Sequence, residues 1–176
     1  MSKISQMRLG EYDKLQEDGY LGAVRRFMDK DHDNADAVTP LSGTDIVAVY
    51  VQNDSGGTLA GGLGVNFKSN AIGKKIGALS GANLYCDGVV DPFLSVAVPN
   101  GSYFWLVVSG PIDVEIGSGD ITAGAVVQTI ASGKFAGGTR GTNSIGHCGT
   151  ATEAVASGAR ARVYLHLPFS VVQATC

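Results

Sequence analysis

An all-β fold is predicted by three properties of this chain. Short apolar runs rich in β-branched and aromatic residues recur along it, and clusters of turn-forming residues separate them. No helix-length segments lie between the runs to carry parallel crossovers. The composition agrees: 25 of 176 residues are glycine, and only 16% are charged, below the usual share of about a quarter. The class expected is a compact antiparallel β-sandwich or barrel with an extended, partly helical N-terminal arm.

The chain divides near Pro40. Residues 1–38 carry a large share of the charge. Leu15, Tyr20 and Leu21, then Val24, Phe27 and Met28, fall loosely at helical spacing, while Gly19 and Gly22 interrupt it. This stretch reads as an arm with one or two short helical turns, lying against its own domain or a neighbouring subunit. Residues 39–176 read as the β domain, expected to fold without the arm.

Within that domain "DIVAVYVQ" is a β-branched run closed by the turn cluster "NDSGG". "LGVNF" and "KIGAL" follow. "LSVAV" and "YFWLVV" flank "PNGS", where Asn100-Gly101 signals a hairpin. "IDVEI" alternates, with Ile112, Val114 and Ile116 on one face and Asp113 and Glu115 on the other. "AVVQTI" is the next strand. In "RARVYLHL" Ala161, Val163, Leu165 and Leu167 face inward, and Arg160, Arg162, Tyr164 and His166 face water. Pro168 ends that strand or marks an edge, and "FSVVQ" is a short final one.

Charge and apolar patterning exclude several functions. A net charge of −3, with no cluster of arginine and lysine among aromatics, argues against nucleic-acid binding. No apolar run reaches the roughly 18 residues of a membrane span, and the N-terminus lacks signal-peptide form. The expectation is a soluble protein made in a cytoplasm. Cys86, Cys148 and Cys176 show no CxxC spacing, so neither a zinc site nor a disulfide framework is indicated. Cys86 and Cys148 read as small buried apolar groups.

Candidate chemistry fails on spacing. "DKDHDNAD", Asp29–Asp36, places Asp29, Asp31 and Asp33 at the first, third and fifth positions of a calcium loop. Asn34 then stands where the loop needs glycine, and Pro40 where it needs glutamate. A hydrated bend is favoured, with no metal. His32, His147 and His166 are dispersed. His147 beside Cys148 does not make a nucleophile–base pair, because consecutive strand residues point to opposite faces. Ser144 has Thr142 in place of the first glycine of a nucleophile elbow. After Gly133-Lys134, Phe135 stands where a phosphate loop requires Ser or Thr. No catalytic residue, cofactor or enzyme activity is expected.

Across residues 45 to 167, "DGVVDPFLS", "PNGSYFWLVVSGPIDVEIG", "AGAVVQTIASGKF" and "GHCGTATEAVASGARARVYLHL" follow in that order. Together they resemble capsid decoration, or cement, proteins of tailed bacteriophages. The segment carrying most of the likeness is Gly149, Ala151, Glu153, Ala154, Gly158, Val163 and Leu165, similar to the G-x-A-x-E-A-x-A-x-G stretch and last strand of those proteins. The resemblance implies a homotrimeric virion protein on the outer surface of the head, binding the major capsid protein and stabilising contacts between its subunits.

The arm has no matching motif. Its aromatic and basic residues Tyr12, Tyr20, Arg25, Arg26 and Phe27 are the expected capsid contacts. The alternative is a host-receptor or carbohydrate-binding module of a head or tail fibre.

Overall fold

The computed structural model describes residues 7–14, 20–30, 41–82, 85–138 and 147–166. Among them are β1 (Tyr12–Asp13), β2 (Val24–Met28), β3 (Asp45–Asn53), β4 (Gly64–Phe67), β5 (Lys75–Leu79) and β6 (Gly88–Val90). The long β7 (Tyr103–Glu115) follows, then β8 (Val126–Thr129), β9 (Phe135–Gly138), β10 (His147–Ala151) and β11 (Arg160–His166). A 3-10 turn over Ala131–Gly133 joins β8 to β9.

All these strands belong to one large, mixed sheet in the order β2-β3-β5-β4-β6-β7-β11-β10-β8-β9, with β1 also on β7. Most pairings are antiparallel, but β3 and β5 run parallel over Gln52–Asn53 and Lys75–Ile76. Because β3 also pairs with β7, the strands β3, β5, β4, β6 and β7 close a circuit. A second circuit runs through β7, β11, β10, β8 and β9, and a parallel bridge from Ile116 to Phe135 closes it. The first holds a core of Val49, Val51, Val65, Ile76, Val90, Phe104, Leu106 and Val108. The other core gathers Ile112, Val114, Ile116, Val127, Phe135, Cys148, Val163 and Leu165.

β7 belongs to both circuits, and its sequence shows how. Phe104, Leu106 and Val108 face the first core, while Tyr103, Trp105 and Val107 face the second. A strand buried on both faces reads as an unbroken apolar run, which is what "YFWLVV" is. Beyond it Ile112, Val114 and Ile116 continue into the second core. Simple alternation from Val107 would turn those residues outward, so the phase must change by one residue in between. The register shift opposite Val47/Ala48 makes that change, and Gly110, at φ +101°, follows it. There β7 leaves β3, whose last partner is Ser109, and runs on against β11 to Glu115. Pro111 is tolerated because the β3 ladder has already ended on its side.

Expected strands and observed ones coincide for "DIVAVYVQ", "LGVNF", "KIGAL", "AVVQTI" and, over Arg160–His166, "RARVYLH"; Leu167 and Pro168 lie outside the described residues. Ala161, Val163 and Leu165 are fully buried, as alternation requires. Two readings are corrected. "YFWLVV" and "IDVEI" form one strand, carried through by the bulge and Gly110. "LSVAV" is not a strand of a hairpin: of its residues only Val98 bridges, to Leu59. Both edges of β7 at 106–107 are already taken, by β3 and β6, so no edge is left for it there. "FSVVQ" lies outside the described residues.

The described part of the N-terminal stretch is extended; helical turns are not seen there. Over 24–28 the strand period wins over the helical one because β2 pairs residue by residue with β3 from Val24↔Val49 to Met28↔Asp45. This stretch lies on the β domain. Met7 and Leu9 are buried in the second core, and the Trp105 indole N–H donates to the Met7 carbonyl at 3.3 Å. The Gly10 N–H donates to the buried Asp91 carboxylate, which also accepts from the Phe93 N–H at 2.9 Å.

Candidate interaction surface

The five candidate contact residues divide by the pleat. Phe27 is buried, with its ring edge-on to Trp105 at 5.3 Å. Burial of such a ring contributes about 1.5–3 kcal/mol. Arg25 stacks over the Phe27 ring at 4.9 Å and donates from Nη1 to the Met7 carbonyl at 3.1 Å. Tyr12, opposite Phe104, is half-buried against the first core. These three residues fasten the N-terminal stretch to the domain. Tyr20 and Arg26 are exposed, and Arg26 forms a long ion pair to Asp45, 3.8 Å.

β2 therefore presents an outward face of Val24, Arg26 and Met28, whose side chains alternate with the inward Arg25 and Phe27. Val24 is 53% and Met28 51% exposed, and Leu41 is 61% exposed. Leu41 is bound to the same region through its N–H, which donates to the Asp29 carbonyl at 2.8 Å. The result is an apolar stripe roughly 13 Å long, interrupted by one cation. Aromatic and basic content alone pointed to Tyr12, Arg25 and Phe27. Period-two alternation in "VRRFM", the signal that finds Val24 and Met28, is short and was masked by the helical spacing.

Behind this face stands an ion-pair cluster. Asp29 is fully buried, and Arg162 of β11 donates from Nη2 to its Oδ1. Arg162 Nη1 lies 3.3 Å from Asp113 Oδ1 on β7. Burial opposes the guanidinium charge, but Asp29 and Asp113 outweigh it and raise the Arg162 pKa above its ordinary value. Asp29 is thus an anchor between the N-terminal stretch and the last strand rather than part of a hydrated bend. Of the three candidate calcium ligands, Asp29 is taken by Arg162, while Asp31 and Asp33 lie outside the described residues.

The segment Gly149–Leu165, on which the expected decoration-protein resemblance rests, has a structural explanation. Gly149 in β10 faces β11 so closely that a Cβ would lie 2.4 Å from the Tyr164 carbonyl oxygen. Glu153 Oε1 accepts from the Arg162 N–H at 2.9 Å, holding the turn that leads into β11. Ala151, Val163 and Leu165 are buried. These residues build the β10–β11 pair.

Elsewhere, His147 and His166 stand on separate strands, and Lys134 pairs with Glu115 at 2.9 Å. Ser144 and His32 lie outside the described residues. Among the described residues no group of three or more His, Cys, Asp or Glu side chains is gathered to hold a metal ion. A shallow cleft of about 540 Å³ lies beside Tyr12, lined by Met7, Glu11, Asp13, Leu94 and Val96. No helix among the described residues is long and apolar enough to cross a membrane.

No known protein family and no curated protein matches the chain. Among solved structures it is similar to the N base of head fiber gp8.5 in bacteriophage phi29, with a TM-score of 0.52 and 16% identity. The likeness covers 68% of this chain and 93% of that one. At this identity the two share a fold.

Proposed function

We propose that this protein is a structural component of a phage virion that acts by binding alone. It sits on the outer surface of the head and stabilises contacts between major capsid protein subunits. The observation that carries this reading is the fold shared with a head-fiber base over nearly all of that chain. The resemblance to decoration proteins read from residues 45–167 of the sequence agrees with it. A trimer over three-fold positions is the arrangement those proteins imply. Many weak contacts per particle then add up through multivalency. A second reading, a receptor- or carbohydrate-binding module of a head fibre, draws on the same neighbour.

The outward face of β2 is the surface we assign to the capsid: exposed Val24, Met28 and Leu41 supply apolar area, and Arg26 supplies a cation for an acidic partner. Val24→Asp with Met28→Asp tests this. Val24 and Met28 are already about half covered, so burying the rest of each contributes about 0.8–1.5 kcal/mol, and losing both weakens binding to heads roughly 10- to 100-fold. The melting temperature should stay within a few degrees, because neither side chain is in the core. Unchanged affinity with intact folding would exclude this face.

A further inference from the structure

Cys86 and Cys148 are far apart in sequence and were expected to be small buried apolar groups. The fold brings their sulfurs to 3.2 Å. Both side chains are enclosed, 3% and 0% exposed. Cys86 precedes β6 of the first circuit, and Cys148 lies in β10 of the second. Both belong to the second core. Closing a bond of about 2.05 Å requires the sulfurs to approach by only about 1 Å, which side-chain rotation supplies.

We propose that Cys86 and Cys148 are an oxidation site, forming a reversible disulfide that staples the two strand circuits together. The thiols are free as the chain folds in a reducing compartment, and the bond forms when a small oxidant reaches the core.

The pair is polarised for this reaction. The Cys86 S–H donates to Cys148 Sγ; that hydrogen bond, together with burial, pushes the Cys86 pKa well up. The same hydrogen bond lowers the Cys148 pKa from its ordinary value. Cys148 is accordingly the attacking sulfur and Cys86 the resolving thiol. With hydrogen peroxide, a reagent small enough for a closed site, the Cys148 thiolate attacks one oxygen and the O–O bond breaks. Hydroxide leaves, and Cys148 becomes a sulfenic acid. Cys86 sulfur then attacks Cys148 sulfur, the S–O bond breaks, and the Cys86 proton leaves with the hydroxyl as water. In sum two thiols and one peroxide give one disulfide and two waters, and two electrons pass from sulfur to oxygen.

The test uses the full chain carrying Cys176→Ser, so that Cys86 and Cys148 are its remaining thiols. After brief peroxide treatment, quenching and denaturation, both thiols should disappear together. The mass should fall by two hydrogens, and dithiothreitol should restore both thiols. In urea, the oxidised protein should have a folding equilibrium constant higher than the reduced one by roughly 30- to 1,000-fold, the range for a disulfide closing a long loop. Adding Cys86→Ser should abolish that gain while leaving Cys148 open to stable sulfenic or sulfinic oxidation. Retention of both thiols, or their separate oxidation to sulfinic acids without a disulfide, would overturn the proposal. A disulfide that forms without raising the folding constant would equally overturn the staple.

Discussion

Gly110→Ala is expected to destabilise the fold by about 3–5 kcal/mol, a large effect for one added methyl group. Gly110 combines two constraints. Its φ of +101° is unfavourable for any side chain. A Cβ placed there would also lie 2.4 Å from the Asp45 carbonyl oxygen and 3.0 Å from the Ile46 Cα. Both are backbone atoms of β3, so relief requires the two strands to part where β7 passes from β3 to β11. Gly119→Ala is the matched control: its φ is +72°, but open space surrounds it, and its cost should be about 1 kcal/mol. Urea unfolding of the two variants measures the difference. Equal costs would contradict the close crossing of β3 and β7.

Arg162→Ala is expected to cost about 3–5 kcal/mol as well, because it strands a fully buried carboxylate. Asp29 Oδ1 would lose its guanidinium partner, and among the described residues Asp29 Oδ2 has no hydrogen-bond partner. The double change Asp29→Leu with Arg162→Leu should recover much of the loss, since neither charge is left alone. A single variant with wild-type stability would show that the pair does not anchor the N-terminal stretch.

Strand content was legible wherever one physical signal dominated. Alternation in "IDVEI" and "RARVYLHL" identified their buried faces residue by residue, and β-branched density located β3. The signal failed where tertiary context decides. β10, within "GHCGTA", is glycine-rich because Gly149 must approach β11 closely, so it lacks the bulky alternation of a typical strand. β2 carries a pattern compatible with either period over five residues, and pairing with β3 settles it. The two circuits through β7 could not be read from local sequence, since closure depends on pairings between distant strands. The bulge beside Gly110 joins "YFWLVV" and "IDVEI" into one strand.

The exposure of the five candidate contacts was not legible from residue type. Tyr20 and Arg26 are exposed, whereas Tyr12, Arg25 and Phe27 are turned to fastening the N-terminal stretch. A large aromatic is as useful for anchoring a strand to Trp105 as for binding a partner, and sequence alone does not separate these uses. The same packing bears on removal of residues 1–38. Loss of Met7, Leu9 and Phe27 would uncover Trp105, so binding defects of that truncation would be confounded with unfolding. Point changes on the outward face of β2 avoid this.

The central claim is that the protein decorates a phage head by binding. It is tested most directly by electron cryo-microscopy of heads prepared with and without the protein. Added density in many copies on the outer surface, at symmetry-related positions against the major capsid protein, is the predicted result. Heads identical in the two preparations, or density confined to the tail, would contradict it.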